Sequence, residues 1–67
     1  MPSEMRFADV RAILERAGYQ LVRVRGSHHV FEKAGQQICI IPVHRGKVKP
    51  AYVRQILKLA AEEPTDE

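Results

Sequence analysis

Apolar residues recur at helical spacing at Val10, Ile13, Leu14 and Ala17, with Phe7 just before them and Arg11, Glu15 and Arg16 on the other side. Gly18 follows at once and suits a left-handed cap, so the spacing predicts a first helix over about residues 7–17. The pattern then changes. Residues 19–24 are rich in aromatic and β-branched types and read as a strand. Arg25-Gly26-Ser27 reads as a tight turn, residues 28–33 as a second strand, and Ala34-Gly35-Gln36 as a second turn. A third strand over 37–43 holds the apolar run Ile38-Cys39-Ile40-Ile41 and is closed by Pro42. Residues 44–49 form a polar loop with three basic residues, and Pro50 suits the first turn of a second helix over about 50–61. On that helix Val53, Ile56, Leu57 and Ala60 mark one face, and Arg54 and Lys58 stand toward water. Residues 1–5 read as a loose start.

The order is α-β-β-β-α, an α+β class. Short connections favour a three-stranded antiparallel meander, and such a sheet can bury one face under both helices and leave the other open. This layout resembles the double-stranded-RNA-binding fold, although a fold does not by itself fix a function. The 67 residues divide into one domain over 1–61 and an acidic tail over 62–67, expected to be flexible. A chain of this size buries only about 60% of its unfolded surface, and a partner covering apolar surface would stabilise it.

Charge changes the picture. The formal net charge of +3 hides an asymmetry: residues 1–61 carry eleven Lys and Arg against four Asp and Glu, a net of +7, and the tail holds the other four acids. A small body with that charge attracts polyanions, nucleic acid foremost. The single cysteine, Cys39, excludes an internal disulfide and fits a reducing compartment; it lies in an apolar run, where a buried thiol is expected. No stretch approaches the ~20 apolar residues of a membrane span, and the start carries no long apolar core of the signal-peptide kind. A cytoplasmic protein without a membrane partner is the expectation.

The candidate chemistry lies in Arg25-Gly26-Ser27-His28-His29. Cleaving RNA without a metal needs a base for the 2′-OH, donors for the charge that develops on the phosphate oxygens, and an acid for the leaving 5′ oxygen. Histidine exchanges a proton near neutral pH, a glycine offers an approachable backbone N–H, and a serine adds a hydroxyl. Arg23, Arg25, Lys47 and Lys49 are nearby sources of positive charge. His28 and His29 are strand neighbours, so their side chains point to opposite faces and cannot easily ligate one ion. No carboxylate or second cysteine stands at a recognised metal spacing, and no cofactor is implied. His44 follows Pro42-Val43 at the end of the third strand, on the approach to the site from a neighbouring strand. The same five residues also make an ordinary basic hairpin turn, and Tyr19, Phe31 and Tyr52 read as packing residues rather than base-stacking platforms.

Ala17-Gly18-Tyr19, Leu21-Val22-Arg23, Gly26-Ser27-His28, Ile41-Pro42 with His44, the lysine-bearing loop and Val53-Arg54-Gln55-Ile56-Leu57-Lys58 follow one another in the order found in the HicA toxin family. The chain resembles that family from about Val10 to Ala60. The resemblance implies a toxin of a type II toxin–antitoxin system, an endoribonuclease acting on mRNA, with a double-stranded-RNA-binding-like fold. It implies that the histidine directly after Gly-Ser is catalytic, here His28, and that the family glycine two residues before it is Gly26; from their own chemistry Gly26 and Ser27 are expected to position the phosphate. Arg23, Arg25, Lys47, Lys49 and Arg54 are then expected to hold the RNA backbone. The implied partners are a HicB-type antitoxin that masks the histidine and, through that complex only, operator DNA. Pro50-Ala51-Tyr52 replaces the Pro-Gly-Thr that opens the last helix in many relatives, and the acidic tail lies outside the family pattern. A non-catalytic RNA-binding module of the same fold is the alternative expectation.

Overall fold

In the computed structural model, residues 3–35 and 38–61 are described. The elements run β1 (Met5–Arg6), α1 (Phe7–Arg16), β2 (Tyr19–Arg25), β3 (His28–Lys33), β4 (Ile38–Pro42), β5 (Lys47–Val48) and α2 (Pro50–Ala61). The α+β order expected from the sequence is present, with β2, β3 and β4 forming one antiparallel sheet and β3 at its centre. The expected start of the third strand at Gln37, the end of the second turn at Gln36 and the acidic tail lie outside the described residues.

Two short strands are additions to the expected pattern. Met5 pairs with Val48 and Arg6 with Lys47, so part of the supposed loose start is a two-stranded ribbon. The polar loop is mostly turn and strand: His44 and Lys47 exchange backbone hydrogen bonds at 2.9 Å in both directions. Arg45 and Gly46 between them have φ of 54° and 75°. Two consecutive positive φ values make a type I′ turn, whose twist matches that of its flanking strands. The ribbon also starts α1. Among the described residues no side chain caps this helix, and the Phe7 N–H donates instead to the Gly46 carbonyl at 2.8 Å.

One face of the sheet and both helices enclose the core. Val10, Leu14 and Ala17 of α1, Val53 and Ile56 of α2, Val48 of β5, and Tyr19, Phe31, Cys39 and Ile41 of the sheet are buried together. Each fully buried large side chain contributes about 1.5–3 kcal/mol relative to exposure. Leu57 departs from the expected helix face: it is 41% exposed, whereas Leu59 packs against the core. The buried stripe runs through Val53, Ile56 and Ala60, and Leu57 falls beyond its edge.

Cys39 is a buried free thiol on this core face, and desolvation raises its pKa above the usual range. The reactive thiolate is therefore disfavoured. An aromatic disulfide reagent at pH 8 is expected to label Cys39 only as fast as the chain unfolds; rapid labelling of the folded protein would contradict this placement.

Candidate active site

Strict alternation along β2 would send Tyr19, Leu21, Arg23 and Arg25 to the same face. Tyr19 and Leu21 do face the core. Between Leu21 and Arg23, however, the register shifts: Leu21 pairs with Phe31 while Arg23 pairs with Val30, the residue immediately before Phe31 in β3. Val22 is the extra residue of a β-bulge. A bulge re-aims the side chains that follow it, and here it carries Arg23 and Arg25 to the open face of the sheet.

On β3, Phe31 is buried with 0% exposure, which fixes the two faces of that strand. His28, Val30 and Glu32 share the open face; His29 and Phe31 point toward the helices. The two adjacent histidines are thus separated as strand geometry requires. His29 packs on Phe7 with ring centroids 4.4 Å apart. Its Nδ1 lies 3.2 Å from the Ser27 carbonyl oxygen, which can only accept, so the proton of this bond sits on Nδ1. His28 is exposed, directly across from Arg25 on β2 and Pro42 on β4. Residues directly opposite on antiparallel strands hold their Cβ atoms about 4.5–5.5 Å apart, close enough for imidazole and guanidinium to act on one phosphate.

Gly26 and Ser27 are the two-residue loop that joins this pair. Gly26 has φ of +59°, and Ser27 has no positive φ, the pattern of a type II′ hairpin turn. The Ser27 carbonyl also accepts from the Val43 N–H at 2.7 Å, tying the turn to the end of β4. Among the described residues, a Cβ added at Gly26 would meet nothing within 4 Å. Gly26→Ala is therefore expected to lower stability by about 1–2 kcal/mol through backbone strain alone, read as a fall of roughly 4–16 °C in thermal midpoint. A loss beyond about 4 kcal/mol would mean that the turn is packed rather than open.

A groove of about 790 Å³ covers the open face, lined by Val22, Arg23, Arg25, His28, Val30, Glu32, Ile38 and Ile40. Its floor is apolar: Val22, Ile38 and Ile40 are 49%, 63% and 52% exposed. The structure thus brings His28, Arg23 and Arg25 together beside the Gly26-Ser27 turn. Lys47 lies in the small ribbon, Lys49 just before α2 and Arg54 on the exposed side of α2; none of the three lines the groove, nor does His44. The aliphatic floor and Glu32 escaped the reading of the sequence. Ile38-Cys39-Ile40-Ile41 has the look of a wholly buried strand, and only its alternation against Phe31 reveals that Ile38 and Ile40 face outward.

A family model described as the HicA toxin of bacterial toxin–antitoxin systems matches residues 7–61, from the first residue of α1 to the last of α2. Comparison with curated proteins and with solved structures returned no match.

Proposed function

Because the chain belongs to the HicA toxin family of bacterial toxin–antitoxin systems, we propose that it is a metal-independent endoribonuclease that cleaves cellular mRNA with His28 as its catalytic residue. The observation that carries this reading is the placement of His28 on an open sheet face, opposite Arg25 and next to a sterically open Gly26-Ser27 turn. In the proposed reaction His28 takes the proton of a ribose 2′-OH, and the freed oxygen attacks the adjacent phosphorus. The bond from phosphorus to the 5′ oxygen breaks, and that oxygen leaves with a proton from water. Arg25 and Arg23 hold the phosphate and the charge that builds on its oxygens, with the Gly26 N–H and the Ser27 hydroxyl as further donors. With one positioned proton-transfer group, turnover is slow. Lys47, Lys49 and Arg54 act from outside the groove by drawing RNA toward the basic domain. A HicB-type antitoxin occludes His28, and operator DNA is bound only through that complex.

Induction of the wild-type chain in cells is expected to halt growth and degrade mRNA, with growth restored by its antitoxin; His28→Ala is expected to do neither. If both chains bind RNA equally and neither cleaves it, the protein is a non-catalytic RNA-binding module. Binding should also weaken steeply with salt. Each phosphate neutralised on a single strand contributes about −0.7 to the slope of log K against log salt, so Arg25→Ala is expected to flatten that slope by about 0.7. An unchanged slope would remove Arg25 from the phosphate.

A further inference from the structure

The open face is built as three cross-strand rungs. Arg25, His28 and Pro42 form the first; Arg23, Val30 and Ile40 the second; Gln20, Glu32 and Ile38 the third. The rungs change character along the strand. The first two carry the cations and the imidazole, whereas the third carries a carboxylate and an amide. Glu32 lines the same groove as His28 and stands four residue steps along the strand from it, about 13 Å. Both Glu32 and Gln20 are exposed, and neither side chain has a hydrogen bond or ion pair among the described residues. A carboxylate in a groove for a polyanion repels phosphate. It keeps the RNA backbone on the Arg23 and Arg25 side and leaves its own rung facing a base.

We propose that Glu32, with Gln20 beside it, is a base-reading subsite that selects guanine in single-stranded RNA about two nucleotides from the phosphate held at His28. The inference rests on the ribonuclease reading and names the specificity of that site. An ionised carboxylate only accepts hydrogen bonds, through two oxygens side by side. Guanine alone among the four bases presents two adjacent donors on its Watson–Crick edge, N1–H and the N2 amino group; adenine and cytosine offer one amino group and uracil one imide N–H. Next to those donors guanine carries O6, an acceptor for the Gln20 amide N–H. Single-stranded bases expose this edge to a protein. The aliphatic side chains of Val22 and Ile38 supply an apolar surface for the base plane.

The test uses wild-type protein and five-nucleotide 2′-O-methyl oligonucleotides, which lack the attacking hydroxyl and so survive. One is all uridine; others carry a single guanine, inosine or adenine at each position in turn. At one position guanine is expected to bind roughly tenfold tighter than adenine, the scale of a bidentate contact, with inosine between them because it lacks the N2 amino group. Glu32→Gln is expected to abolish that preference while binding the all-uridine oligonucleotide no more weakly than wild type. Equal binding of all sequences by the wild type, or a guanine preference that survives Glu32→Gln, overturns the subsite and leaves the ribonuclease reading standing. Failure of every oligonucleotide to bind overturns both.

Discussion

Replacing His28 with alanine is expected to lower the rate of RNA cleavage by roughly 10²–10⁴-fold, the usual contribution of a positioned acid or base, and to leave the thermal midpoint almost unchanged. The side chain is exposed and makes no hydrogen bond or ion pair among the described residues. Surface changes of that kind stay within about 0.5 kcal/mol. His29→Ala should behave in the opposite way. It removes the ring against Phe7 and the bond to the Ser27 carbonyl, so it lowers stability by about 1–2 kcal/mol, while the folded fraction still cleaves. Rate assays and thermal melts on the two purified variants separate chemistry from packing. Equal loss of rate in both, after correction for the folded fraction, would contradict the assignment of the two histidines to opposite faces.

The largest effect on stability is expected from Phe31→Ala. Phe31 lies at the centre of the middle strand with 0% exposure, between the sheet and the helices, its ring 6.1 Å from that of Phe7. Truncating a buried phenylalanine costs about 3–5 kcal/mol through lost transfer energy and the cavity left behind. A domain of this size has only about 3–10 kcal/mol in total. The variant should therefore unfold near room temperature or melt roughly 15 °C or more below the wild type. A drop of less than about 5 °C would mean that the core does not depend on the centre of β3. Phe31 also decides the site: its burial orients β3, and with it the outward placement of His28, Val30 and Glu32.

Both helices and all three strands of the main sheet were legible in the sequence, because each is long enough to show its period. Alternation alone separated His28 from His29. The ribbon of β1 and β5 was not legible, since two residues display no period and Met5 and Val48 pair across most of the chain. The bulge at Val22 was hidden for a related reason. Tyr19, Leu21 and Arg23 continue a regular alternation on paper, and only pairing with β3 shows the skipped residue that frees Arg23 and Arg25 from the core face. Leu57 shows a limit of helical spacing at the edge of a stripe, where one step of rotation separates a core residue from a surface one.

The most direct test of a His28-centred, metal-independent ribonuclease is the chemistry of the ends it leaves. Purified protein is incubated with single-stranded RNA in excess EDTA, beside His28→Ala, and the fragment termini are identified by mass spectrometry. Attack by the 2′-OH predicts 2′,3′-cyclic phosphate and 5′-hydroxyl ends from the wild type and none from the variant. Ends bearing 5′-phosphate and 3′-hydroxyl, cleavage that stops in EDTA, or equal cleavage by His28→Ala would contradict it.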